Sequence, residues 1–172
     1  MSELLAALPD DIEQAARALL DLARDRRIAI VTAESCTGGL LASLLTDVEG
    51  ASHAFERGFV VYTDAAKCEL LAIDPAVVKG CGAVSAETAA AMARGALARS
   101  HGDIAVSITG FAGPGGPGDE PGLVHFACLS RGGELVSRAE HFGDIGRGPV
   151  RLAALRVALD LLRDAARAHS SI

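Results

Sequence analysis

An apolar run, Ile28-Ala29-Ile30-Val31, leads into Thr32 through Gly39 and then into the apolar-periodic run Leu40 to Leu45. That order predicts a buried strand, a tight turn and a helix, and it commits the chain to an α/β fold. The turn sets Ser35, Cys36 and Thr37 at the carboxyl end of a strand, where open α/β sheets bind ligands. Gly38 and Gly39 allow main-chain N–H groups to approach a ligand at a helix start and stabilise negative charge. Ser35 in such a turn is a candidate acyl-transfer nucleophile. An ordinary Ser/Thr helix cap followed by a flexible glycine pair is the other reading of the same residues.

The rest of the pattern continues the alternation. Apolar spacing at Ile12, Ala15, Ala16, Leu19, Leu20 and Ala23 predicts a helix over 8–26, with Pro9 in its first turn. Strands are expected over 28–33, 58–63, 104–109, 122–130 and 134–142. Helices are expected from the glycine turn to 46, from a cap at Asp64 through Leu71, from Asp74-Pro75, over 86–100 behind Ser85, and over 147–168. Gly132-Gly133 between two strands signals a hairpin, so one pair must be antiparallel. The expected architecture is a mixed, mainly parallel sheet of about five strands between two helical layers. With 172 residues and no internal linker, a single domain over 1–172 is expected.

Composition narrows the function. The formal net charge of −6 disfavours nucleic acid as a partner. No apolar run is long enough to span a membrane, and Met1 through Leu5 lacks the basic start of a secretory signal, so a cytoplasmic protein is expected. Cys36, Cys68, Cys81 and Cys128 lack metal spacing, and the histidines form no HxxxH or HxH pair. Neither a metal nor another cofactor is expected.

Five separated motifs occur in order: Thr32 through Gly39 (TAESCTGG), Phe55 to Gly58, Tyr62 through Lys67, Gly82 to Ser85, and Ser107 through Pro114. Together they resemble the CinA carboxyl-terminal domain family, the nicotinamide-nucleotide amidases, over about residues 10–167. The resemblance implies a three-layer α/β/α sandwich and an amidohydrolase that converts nicotinamide mononucleotide to nicotinate mononucleotide and ammonia. It places the family serine on Ser35, the family lysine on Lys67 and the family tyrosine on Tyr62, and it suggests a homodimer or higher homo-oligomer. Some members carry a larger amino-terminal domain; this chain is similar to the stand-alone form. Asp64 stands where the family usually has Asn. The segment around Gly143-Asp144 is two residues longer here, at Ile145-Gly146.

Amide hydrolysis needs a nucleophile, a base, an oxyanion site and an acid for the leaving amine. A lysine can be that base if burial lowers its pKa, and Lys67 follows Ala65-Ala66 and precedes Cys68, Leu70 and Leu71. A solvated surface lysine is the plain alternative. Tyr62, the only tyrosine, either relays a proton between Ser35 and Lys67 or packs its ring in the core. Main-chain N–H groups near Thr37, Gly38 and Gly39 are the candidate oxyanion site. Cys36 is the rival nucleophile, since a helix start lowers a thiol pKa. For substrate binding, Thr109, Gly110 and Gly113 belong to a glycine-rich loop able to nest an anion, and Arg147 and Arg151 share a helix face that can clamp phosphate. Glu34 either orients a site group or accepts hydrogen bonds in the turn. Competing functions are a non-catalytic nucleotide-binding module and an amidase or esterase for another small molecule.

Overall fold

The computed structural model describes residues 8–169; the Met1–Leu5 stretch lies outside them. The elements run α1 Asp10–Arg26, β1 Ile30–Glu34, α2 Leu40–Thr46, β2 Phe55–Val60, α3 Asp64–Leu71, α4 Pro75–Cys81, α5 Ala86–Ala98, β3 Ile104–Gly110, β4 Leu123–Ser130, β5 Leu135–His141 and α6 Arg147–Ala168. A short 3-10 turn at Ala51–His53 precedes β2.

The five strands lie in the order β2-β1-β3-β4-β5. β1 pairs in parallel with β2 and β3, and two antiparallel pairings then add β4 and β5. Four strands therefore point the same way and β4 alone opposes them. Successive side chains alternate across the sheet, and the two faces build separate cores. Ile30, Ile104, Val106, Ile108, Val124 and Phe126 pack under α1, α2 and α6. Val31, Ala33 and Ala105 pack under α5 and the α3–α4 segment. The aliphatic residues supply most of this core, with Phe126 its largest fully buried apolar side chain.

β1 is buried along its whole length because it has neighbours on both edges and helices on both faces. The chain leaves β1 toward β2 on one side and later returns through β3 on the other. That reversal opens a crevice at the carboxyl ends of β1, β2 and β3, the usual ligand position in open α/β sheets.

The expected elements are present, with shifted boundaries. β2 begins at Phe55 rather than 58 and stops at Val60, so Tyr62 and Thr63 lie past its end. As an edge strand, β2 keeps the polar Glu56 and Arg57 at its exposed margin, and that hides its start in a hydropathy pattern. Thr63 caps α3 by accepting from the Ala66 N–H at 3.1 Å, and Asp64 is the first helical residue rather than the cap. Asp74 and Ser85 cap α4 and α5 as the sequence indicates. Among the described residues no helix is long and apolar enough to cross a membrane.

Candidate active site

The turn after β1 is held from every side. The Ser35 N–H donates to the Ile108 carbonyl of β3, and the Val61 N–H donates to the Glu34 carbonyl. Gly38 and Gly39 take φ values of 62° and 91°, which side chains with a Cβ rarely adopt, and the Gly38 N–H closes on the Ser35 carbonyl. Glu34 is fully buried. Its carboxyl oxygens accept from Thr37 Oγ1 at 2.7 Å, Leu41 N–H at 3.0 Å, Ala42 N–H at 2.8 Å and, at 3.4 Å, Thr32 Oγ1. The side chain thereby ties the start of α2 to the end of β1.

Lys67 projects from α3 toward this turn and is only 1% exposed. Its Nζ lies 3.2 Å from Ser35 Oγ and 3.4 Å from the Tyr62 carbonyl. Burial lowers its pKa from the ordinary lysine value, while Asp64, Cys36 and Cys68 act in the opposite direction. Asp64 thus opposes the neutral amine from the position where an Asn would carry no charge. A neutral amine beside a serine hydroxyl can remove its proton.

Ser35 and Lys67 open onto a cavity of about 180 Å³ lined also by Cys36, Tyr62, Ala83, Val84, Thr109 to Gly115 and Arg147. Its walls come from three strand ends and from the start of α6. Thr109 Oγ1 donates to the Ala83 carbonyl at 2.7 Å, and Ser85 Oγ and Thr88 Oγ1 donate to the Gly82 carbonyl. The Gly82–Ser85 segment is thereby fastened against β3. The Arg147 guanidinium stands beside Gly113, where a Cβ would come within 3.2 Å of Nη2. Its charge is the one basic group besides Lys67 on the cavity wall.

The fold brings together Ser35, Lys67, Thr109, Gly110, Gly113 and Arg147. It separates others from them. Glu34 and Thr37 are enclosed and engaged with protein groups, so they shape the turn and do not line the cavity. Gly38 and Gly39 also lie off the cavity wall, and the Gly38 N–H is already bonded. The turn amide on the cavity wall without a protein acceptor belongs instead to Cys36. Arg151 donates through Nη2 to the Thr37 carbonyl and does not line the cavity, so it and Arg147 form no common clamp.

Tyr62 is 65% exposed at the rim, which rules out a ring packed in the core. Its carbonyl, not its phenol, meets Lys67. No hydrogen bond joins the phenol to Ser35 or Lys67, so a relay through it is not the arrangement found. Cys36 is 8% exposed, and burial pushes its thiol up to about 11, outweighing Arg151 and Lys67. The thiolate that a nucleophile requires is therefore disfavoured, contrary to the lowering expected at a helix start.

Sequence reasoning gave no individual role to Ala83 or Val84, which complete the wall beside the Thr109 to Gly115 loop. The available signal was Gly82 and two small or branched apolar residues directly before the Ser85 cap.

Residues 12–166 match the CinA C-terminal domain family model. The CinA-like protein of Chlorobaculum tepidum is 44% identical over 155 residues, covering 85% of this chain and 37% of its own length. The CinA-like protein of Mycobacterium marinum is 48% identical over 146 residues, covering 84% of this chain and 34% of its own. The chain thus spans about a third of the length of these curated relatives. The crystal structure of the competence/damage inducible protein CihA from Agrobacterium tumefaciens superposes with a TM-score of 0.90 at 43% identity, over 94% of this chain and 99% of that one. A CinA superfamily protein from Escherichia coli gives 0.83 at 36% identity, over 92% and 93%.

Proposed function

The chain belongs to the CinA C-terminal domain family, and on that premise we propose that it is a nicotinamide-nucleotide amidase. The observation that carries the reading is the buried amine of Lys67, 3.2 Å from Ser35 Oγ at the foot of a cavity walled by Arg147. A binding module has no use for a desolvated lysine against a serine, which costs stability and offers no contact to ligand beyond one hydroxyl.

In the proposed reaction, neutral Lys67 accepts the Ser35 hydroxyl proton as Oγ attacks the carboxamide carbon. The C–O bond forms and the carbonyl electron pair moves onto oxygen, where the Cys36 N–H stabilises it. Lys67 then passes its proton to the amide nitrogen, the C–N bond breaks and ammonia leaves. Water, deprotonated by the same amine, attacks the acyl ester; the Ser35–carbon bond breaks and Ser35 recovers its proton. The product is the nicotinate carboxylate. Arg147 and the loop at Gly110 to Gly115 supply positive charge and main-chain N–H groups for the phosphate. The Tyr62 ring at the rim offers a face to the pyridine.

The test is ammonia release from nicotinamide mononucleotide by the wild type beside Ser35→Ala. Release by the wild type alone is expected. Equal release by both would remove Ser35 as nucleophile, and no release by the folded wild type would favour the binding module.

A further inference from the structure

Two arginines one helical turn apart on α6 do different things. Arg147 stands on the cavity wall against Gly113. Arg151 reaches the nucleophile turn and donates to the Thr37 carbonyl. Its Nε is buried without an acceptor, so that carbonyl is its one protein hydrogen-bond partner among the described residues. Thr37 is fully buried and held at both ends, its hydroxyl by Glu34 and its carbonyl by Arg151. It lies two residues after Ser35, within the turn whose Gly38 N–H closes on the Ser35 carbonyl. Gly38 sits directly under the guanidinium, where a Cβ would approach Nη2 to 3.5 Å.

We propose that Arg151 is a positioning residue that ties the Ser35 turn to the first turns of α6, so that an anion bound at Arg147 fixes the nucleophile's geometry. The inference rests on the amidase reading for its substrate but not for its geometry. A rigid helical turn links Arg147 to Arg151, and a single charge-assisted hydrogen bond links Arg151 to the turn. Phosphate contact thereby orders the reacting centre at a distance, which is how remote binding energy raises kcat rather than only lowering KM.

The test compares the wild type with Arg151→Gln, and with Arg151→Lys should the glutamine variant fail to fold by circular dichroism. Three quantities are measured: kcat and KM for nicotinamide mononucleotide, the rate of Ser35 labelling by a fluorophosphonate read by mass spectrometry, and Tm. Misplacing a reacting group by a fraction of an ångström to an ångström costs up to about 100-fold. The expectation is therefore a fall in kcat and labelling rate of about 10- to 100-fold with KM unchanged within about threefold. Added methylguanidinium should restore part of both rates in Arg151→Ala.

A raised KM with kcat and labelling intact would make Arg151 a substrate ligand and overturn the proposal. A lowered Tm with both rates intact would make it a structural tie only. If the wild type releases no ammonia yet labels at Ser35, the amidase reading fails and the labelling comparison still decides Arg151. Absence of Ser35 labelling in the wild type would overturn the activated nucleophile and the positioning role together.

Discussion

Replacing Lys67 by methionine separates its chemical role from its structural one. Met keeps an unbranched chain in the same space and removes the amine. The base is lost, and kcat should fall by about 10²- to 10⁴-fold. Stability should move differently. At neutral pH the wild type carries a lysine that is 1% exposed and whose pKa burial has lowered from 10.5. Above 10.5 the side chain is neutral both folded and unfolded, and this cost vanishes. As pH falls through that value the unfolded chain binds a proton that the folded chain holds less well. Stability therefore declines until the lowered folded value is reached. Each pH unit of lowering costs about 1.4 kcal/mol, or roughly 3–6 °C of Tm at about 2–4 °C per kcal/mol for a chain of this length. Against this, the variant loses the contacts to Ser35 Oγ and the Tyr62 carbonyl, worth about 1 kcal/mol each. The first opposes the second at neutral pH, and the second stands alone at high pH. Tm measured by circular dichroism from about pH 7 to about pH 10 should show Lys67→Met gaining ground on the wild type as pH falls. Parallel Tm curves, or ammonia release within about tenfold of the wild type, would refute the buried neutral base.

Cys36→Ala should keep ammonia release within about threefold, because a thiol pushed up to about 11 is a space-filler; loss of more than tenfold would return it to the mechanism. Arg147→Ala should raise KM for the nucleotide by about 10- to 100-fold, the loss of one charge-assisted pair, while leaving KM for the phosphate-free riboside unchanged; equal effects on both would exclude a phosphate role. Gly95→Ala places a Cβ 2.3 Å from the Leu71 carbonyl, where α5 crosses α3. A loss of about 3 kcal/mol in urea unfolding is expected, and an unchanged midpoint would show that α3 shifts freely. Since α3 carries Lys67, activity should fall with it.

The helical layers and the mixed sheet follow from what the sequence displays: apolar runs at Ile28 to Val31 and Ile104 to Val106, a glycine hairpin, and helical spacing such as Leu152, Leu155, Leu159 and Leu162. Site geometry was legible where chemistry sits at an element boundary. Ser35 directly follows β1, Gly110 ends β3 and Arg147 begins α6, so topology alone gathers them. It was illegible where side-chain direction decides. Arg147 and Arg151 share a helix face by spacing, yet one meets Gly113 and the other Thr37, because the face straddles the loop and the turn. Tyr62 reads as a strand residue by its neighbours, but β2 ends two residues earlier and turns its phenol outward. Cys36 shows the limit of a local rule: the helix start is present, and desolvation outweighs it.

Glu34 and Lys67 show why burial alone does not identify a reactive group. Both are enclosed ionisable side chains beside the same turn. Glu34 meets donors on both oxygens, three within 3.0 Å, two of them main-chain N–H groups at the start of α2. Exchanging its place with substrate would strip α2 of its anchor. Lys67 has two acceptors, at 3.2 and 3.4 Å, and one of them is the hydroxyl it would deprotonate. The number of fixed partners separates the two roles. A saturated group is committed to the fold, whereas an undersupplied one is free to exchange a proton. The sequence marks both residues as candidates; only the partner geometry assigns Glu34 to holding the turn and Lys67 to acting on it.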